Sequence, residues 1–393
     1  PPPPSPPVPL QDAAEQRRID DAIAKGVWYL RDHALPEGSW GDALPDGQAP
    51  VTLGFASLPA LTLLECDVPA DEPVIQKAAA LVRRQAPAPH DVYDTYQRAL
   101  AVLFLDRLGD KQDQGLIQYL SLCLAAGQHP TDGAWSYSCP ALDRKKVPQL
   151  LKQLQAAQSI ADWRKAALAG TPLPPDWDQA AAVPKDWDNS NTQFALLALW
   201  VARRHRVPIE RSIALAEDHF RGTQLGHQDD PEGNNLDMDG SWYYARSGET
   251  GWHNSSRWPS MTCAGLLGLA EAQALHQGTK AKPLDDPAIQ RGLAMLAREI
   301  GRPGEARPTD LYFLWSLERV GVLFRLPQIG GKDWYAWGCQ ALLPNQGDDG
   351  AWKDGVYYDN TPVLNTCFAL LFLKQANLAE DLTSKLRLLG GEK

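Results

Sequence analysis

The apolar positions of this chain fall into two alternating helical patterns. Residues 194–202 carry no polar side chain on any face, which describes a helix buried all round. After Pro208, a residue suited to a first helical turn, Ile209, Ile213, Ala216 and Phe220 lie on one side, while Glu210, Arg211, Glu217 and Asp218 take the other. That is a helix with one face on a partner and one in water. The stretch opens at Trp187-Asp188-Asn189-Ser190-Asn191-Thr192 and closes with Gln224, an acidic insertion, and Asp239-Gly240-Ser241-Trp242. The unit is inner helix, turn, outer helix, Gly-x-Trp.

The unit recurs. Inner helices are predicted at 51–66, 91–108, 187–202, 259–274, 309–320 and 361–375, and outer helices at 74–85, 112–128, 208–220, 286–300 and 334–346. The helix at 12–32 is an outer one with no inner helix before it, and the inner helix at 361–375 has no full outer partner after it. Pairing these two completes six pairs, and an array whose first half-repeat completes its last is a closed ring, not an open solenoid with capping ends. The expected fold is all-α, a single (α/α)6 toroid closed by the N-terminal helix. Residues 1–11, mostly proline, read as a spacer before a toroid at 12–393, which is interrupted by an insertion at about 139–186. Within the insertion Val147, Leu150, Leu151 and Leu154 share one stripe, and Pro172, Pro174, Pro175 and Pro184 then exclude regular structure. Having no place in the period, it is expected outside the ring as a lid over one mouth.

Composition narrows the function. The 14 Trp and 44% hydrophobic residues support a large core, and a net charge of -10 leaves no basic stripe for nucleic acid. No apolar run reaches the ~18 residues of a membrane span, which leaves peripheral membrane contact open. The proline-rich start leans towards an exported protein whose leader has been removed. Cys66, Cys123, Cys139, Cys263, Cys339 and Cys367 are too sparse for a disulfide framework. No Cys-x-x-Cys or Cys/His cluster marks a zinc site, and no cofactor is expected.

The segment Trp337-Gly338, Leu342-Leu343, Gln346, Gly350-Ala351-Trp352 resembles the Gln-Trp repeat of squalene–hopene cyclases and the related prenyltransferase-type α/α toroids. Weaker copies are Lys25-Gly26 with Gly38-Ser39-Trp40, Gln128 with Gly133-Ala134-Trp135, and Gln224 with Gly240-Ser241-Trp242. The resemblance covers most of the chain and implies one toroid where those cyclases have two, with the Gln and Trp residues structural. The protonating cyclases carry Asp-x-Asp-Asp-Thr with the middle Asp as acid. Here Asp91-Val92-Tyr93-Asp94-Thr95 puts Tyr93 at that position, and a phenol with a pKa near 10 is too weak to protonate an alkene. The His-Thr-Cys portion of the prenyltransferase zinc site would fall on Met261-Thr262-Cys263 or Asn365-Thr366-Cys367, without its His, and Asp229-Asp230-Pro231 matches only the start of Asp-Asp-x-x-Asp. The resemblance implies a cyclase-like toroid that lacks the catalytic motifs and holds an apolar or polyprenyl-type small molecule in its central cavity.

In such a toroid the inner-helix N-termini gather at one mouth, where their dipoles favour carboxylates and anions. The catalytic candidates there are Asp91, Tyr93, Asp94, Asp188 and Asp359. The ligand-binding candidates are Gln97, Asn189, Asn191 and Asn360, joined by Trp252, His253 and Arg257 from a Trp-rich loop. His90, Ser260, Thr262 and Asp310 stand in the same ring. Asp, Ser and Thr at helix starts also serve as ordinary N-caps. Asn235-x-Asp237-x-Asp239-Gly240 has the spacing of half a calcium loop, but Arg246 occupies the bidentate Glu position. Asp237 and Asp239 are therefore a solvated acidic loop before they are a metal site. Three classes stay open: a cyclase-like protein around an apolar ligand, a carbohydrate-active lyase or hydrolase with paired carboxylates and aromatic platforms, and a non-catalytic binding module. A cavity of Phe, Leu and Trp marks the first, an open groove with two carboxylates the second, and a filled shaft the third.

Overall fold

The computed structural model describes residues 13–41, 52–88, 93–155, 186–226, 239–245, 258–275, 282–301, 310–355 and 361–390. Outer and inner helices alternate from the start: α1 (Ala13–Asp32), α2 (Thr52–Glu65), α3 (Pro73–Gln85), α4 (Asp94–Leu108) and α5 (Gln114–Ala126). After an extra helix α6 (Val147–Gln155), the order resumes with α7 (Asn189–Ala202), α8 (Glu210–Thr223), α9 (Pro259–Leu275), α10 (Pro287–Glu299), α11 (Leu311–Leu323), α12 (Trp334–Leu342) and α13 (Pro362–Lys374). A further helix, α14 (Glu380–Gly390), ends the chain's described part.

The two hydrophobic patterns sort the helices as expected. Every residue of α7 is buried, whereas α8 buries only the face that carries Ile213, Ala216, His219 and Phe220. The inner helices α2, α4, α7, α9, α11 and α13 each pack on the next, and α13 returns to α2, so the ring is closed. On the outside, α1 lies against α13. A side chain on Gly26 of α1 would meet Leu370 of α13, a measure of how closely the first and last pairs join. This is the (α/α)6 toroid with the N-terminal helix completing the ring.

The Gly-x-Trp units stitch the outer wall. Trp40, Trp135, Trp242 and Trp352 are fully buried, and each indole N–H donates to a carbonyl of the outer helix just before it: Leu30 (2.5 Å), Leu124 (2.6 Å), Phe220 (2.8 Å) and Leu342 (2.9 Å). The glutamines reach forward. Gln128 Nε2 donates to Gly133 O and to Ser212 O of α8, Gln224 Nε2 to Gly240 O and Ala288 O of α10, and Gln346 Nε2 to Gly350 O and Ala22 O of α1. The glycines bring the turns this close. Gly133 and Gly350 adopt positive φ (72° and 87°), and a Cβ would collide with the carbonyls of Leu215 and Lys25. Where the Gln-Trp unit is missing, ion pairs and a lysine substitute: Arg83 of α3 binds Asp110 and Asp113 ahead of α5, and Lys332 Nζ donates to Ala297 O and Ile300 O at the end of α10.

Among the described residues, two helices lie outside the period. The stripe Val147, Leu150, Leu151 and Leu154 of α6 is buried, α6 packs on α5, and Gln155 Nε2 donates to Arg206 O just beyond the end of α7. This part of the insertion lies on the outer wall and reaches towards the end opposite the inner-helix N-termini; residues 156–185 lie outside the described residues. Helix α14, which the periodicity did not predict, packs on α9 and α11. Its Asp381 accepts from Arg203 and Arg204 at the end of α7. Among the described residues no helix is long and apolar enough to cross a membrane.

Candidate functional site

The inner-helix N-termini do form one mouth, and beneath it the axis is filled. Tyr96 of α4 donates to Ser190 Oγ of α7 (2.6 Å), Ser190 Oγ lies 2.6 Å from Tyr312 OH of α11, and Gln193 Nε2 also donates to Tyr312 OH. One layer lower, Phe194 packs on Tyr96 and Trp315, and Trp315 stacks on Phe368 of α13 with centroids 5.0 Å apart. Arg319 lies 3.7 Å over the Trp315 ring and donates to Gln193 Oε1. Helices α4 and α11 stand opposite each other in the ring, as do α7 and α13, so these contacts close the shaft. A cavity of about 20 Å³ remains below them, lined by Gln193, Glu271 and Arg319 and covered by residues 376–382; that is room for one water. No apolar chain fits, and the expected hydrophobic ligand in a central cavity is corrected: aromatic side chains from facing helices occupy its place.

Above this floor lies a tyrosine surface. Tyr137, 39% exposed, and Tyr244 join through their hydroxyls at 2.8 Å. Tyr93 meets Tyr137 edge-on at 5.2 Å, and Trp258 lies beside Tyr244. Tyr93 caps α4 in the left-handed region (φ 57°), a conformation uncommon for a bulky residue.

Three carboxylates stand beside this surface, two of them as helix caps. Asp188 caps α7, accepting from Asn191 N (2.7 Å) and Asn191 Nδ2 (2.7 Å). Burial pushes its carboxyl up to about 7, although the Asn191 donors favour the charged form. Asp310 caps α11, accepting from Tyr312 N and Phe313 N, and burial raises it to about 6. Asp94, at the first turn of α4, is buried with Arg98 Nε 3.6 Å from its Oδ1. The cap bonds fix Asp188 and Asp310 at the mouth.

Outward from Asp188 the face continues into a pocket of about 430 Å³ between the start of α7 and the end of α8, whose walls include Thr131, Asp132, Trp187, Asn189, Asp218, His219, Thr223 and Tyr243. Asn189 Oδ1 receives His219 Nε2 at 2.8 Å, and Asn189 Nδ2 donates to Tyr243 O. Trp187 meets the His219 ring edge-on at 4.5 Å. Burial pushes the imidazole down to about 3, so it is a neutral hydrogen-bonding wall. Extended segments at Trp135, Asp188 and Ala245 pair side by side here and tie the Gly-x-Trp loops to the mouth.

Of the residues singled out in the sequence, Tyr93, Asp94, Gln97, Asp188, Asn189 and Asn191 stand at or just below this mouth. Asp91, Asp359, Asn360, Trp252, His253, Arg257 and Asp237 lie outside the described residues. Asp239 accepts from Ser241 N and Oγ and so shapes the turn before Trp242. No group of His, Cys, Asp or Glu among the described residues is arranged to hold a metal. The missed residues are Tyr96, Tyr137, Tyr244, Tyr312, His219 and Asp218. Four of them carried a signal: Asp-x-Tyr opens two facing inner helices (Asp94 to Tyr96, Asp310 to Tyr312), and Trp-x-Tyr follows two Gly-x-Trp turns (Trp135 to Tyr137, Trp242 to Tyr244).

No family model matches this chain, and no characterised protein matches it by sequence. Among solved structures, the GH76A α-1,6-mannanase from Salegentibacter sp. HEL1_6 is similar over 93% of this chain and 99% of its own, at 11% identity and a TM-score of 0.54. A protein from Actinoplanes aligns over 91% of this chain and 99% of its own at 17% identity and a TM-score of 0.46. At 11% identity the likeness to the mannanase is one of fold. It overturns the squalene–hopene cyclase resemblance: a full-length toroid that this chain matches is a glycosidase's, and the Gln-Trp units act here as outer-wall stitches.

Proposed function

We propose that this toroid is a carbohydrate-active protein that engages a saccharide on the inner-helix N-terminal face. The observation that carries this reading is the pairing of half-exposed tyrosines with carboxylates above a closed axis. Aromatic faces take the apolar side of a sugar ring, and carboxylates accept from its hydroxyls. Asp310 is only partly buried and raised to about 6, so it is the carboxyl that can both reach a leaving oxygen and donate a proton to it, while Asp188, raised further but buried, supports the site from beneath. The fold likeness to an α-1,6-mannanase supports the same class. The site belongs to one toroid domain at 12–393, with residues 1–11 as a spacer and an insertion at about 139–186.

A second reading, binding without cleavage, is favoured by the filled shaft, which confines any ligand to the face. One experiment separates the two. Purified protein is incubated with α-1,6-mannan and with a panel of other polysaccharides, following reducing-end release and retention on the immobilised polymer. Release that falls at least a hundredfold in Asp310→Asn supports catalysis; retention without release supports the binding module. Neither retention nor release on any polymer contradicts the carbohydrate reading.

A further inference from the structure

The pocket between α7 and α8 is separate from the axial tyrosines yet continuous with them through Asn189, whose chain neighbours Asp188 and Ser190 belong to the mouth. We infer that it is a distal subsite for one uncharged sugar unit of an oligosaccharide whose other end lies on the tyrosine surface. The inference rests on the carbohydrate reading of the mouth and adds to it the length and charge of the ligand.

Three features carry it. The volume, about 430 Å³, lies at the lower end of the usual small-ligand range and suits one sugar ring with its waters. The wall has the composition that a sugar needs, with indole edge from Trp187, hydroxyls from Thr131 and Thr223, carboxylates from Asp132 and Asp218, and the peptide edge at Tyr243. Asn189 is held in place, fixed on both sides by His219 and Tyr243. The charge selects the ligand. The described lining holds two carboxylates and no Lys or Arg, and His219 stays neutral, so a uronate, sulfate or phosphate sugar would enter against like charge without a donor cation. Carboxylates repel these groups and accept from the vicinal hydroxyls of a neutral ring.

The test is calorimetric titration of the full chain with α-1,6-linked manno-oligosaccharides, gluco-oligosaccharides and xylo-oligosaccharides of two to six units, and with oligogalacturonates of the same lengths. Affinity is expected to rise with length for a neutral series, and the oligogalacturonates are expected not to bind. Asp218→Ala, at an exposed position, should weaken the longer oligomers about tenfold and leave the disaccharide unchanged, whereas Tyr137→Ala should weaken every length. Equal binding of all lengths by Asp218→Ala and wild type would overturn the distal subsite while leaving the mouth reading intact. Oligogalacturonates bound as tightly as neutral chains would overturn the charge selection. If no series binds wild-type protein, the carbohydrate reading falls, and the subsite falls with it.

Discussion

The two ends of this ring are built from the same helices and closed by different means. At the inner-helix N-termini the backbone N–H groups are met by Asp188, Asp310 and Thr361 acting as caps, and the Gly-x-Trp loops dock beside them. At the C-termini a separate helix, α14, covers the axis: Leu382 and Leu386 are buried, Asp381 bridges Arg203 and Arg204, and Lys385 lies over Trp200. The first end leaves Tyr137 exposed above caps that are themselves buried or partly buried, while the second covers apolar surface.

The contrast breaks most severely at the wall that both ends share. Gly350→Ala forces a side chain onto the Lys25 carbonyl at a positive φ, in the turn that joins the last outer helix to the first. A loss of about 3 kcal/mol is expected in denaturant unfolding; unchanged stability would mean that the ring closes without this stitch. Next is the plug. Leu382→Ala removes a fully buried side chain between α14 and the ring and should cost about 2 to 3 kcal/mol with saccharide binding unaffected, so a variant that loses binding in step with stability would link the two ends. Smaller and opposite in sign is Glu318→Leu. Glu318 is fully buried, neither carboxyl oxygen has a hydrogen-bond partner, and burial holds its pKa well above the ordinary range. Replacing it should raise stability by about 1 to 2 kcal/mol at pH 7, and a loss of stability would show that the carboxyl has a partner.

The finest of these tests is the pH dependence of the mouth. Asp188 titrates near 7 in the folded chain against 3.8 for an ordinary aspartate, so the protonated folded state is favoured. Its contribution is complete below 3.8 and is lost as the pH rises through about 7, with a slope bounded by about 1.4 kcal/mol per pH unit. His219, pushed down to about 3 from 6.5, acts in the opposite direction: its contribution is present above 6.5 and lost on acidification. The two overlap, so the stability difference between wild type and Asp188→Asn, followed from pH 4 to 8, isolates the aspartate. A flat difference would mean that Asp188 is an ordinary ionised cap.

Much of the ring was legible because inner and outer helices solve different burial problems, and that difference is written in every turn. The run from Phe194 to Ala202 has no polar face, and Ile213, Ala216 and Phe220 make one; counting such runs was enough to place α1 against α13. Helix α14 escaped because Leu382 and Leu386 lie among charged residues outside any repeat, and what they cover is set by the ring's open end. The shaft escaped for a related reason. Phe194, Trp315 and Phe368 each read as core in their own helix, and only closure of the ring brings them together on the axis. At the mouth, caps are visible as Asp before an apolar run, and Asp188 does cap its helix, whereas Asp94 stands one residue inside its helix behind Tyr93. The tyrosines hid in the repeat itself, and Gln-Trp stitches, being wall architecture, suggested a ligand that the axis has no room to hold.

The central claim, that ligands meet this toroid at the inner-helix N-termini and not at the plugged end, is tested most directly by amide hydrogen exchange with and without a neutral oligosaccharide at saturating concentration. Peptides covering 93–97, 186–194, 239–245 and 310–316 are expected to slow on addition of the sugar, and those covering 376–390 to stay unchanged. Protection confined to 376–390, or no protection at the mouth under conditions where the sugar is bound, would contradict the account.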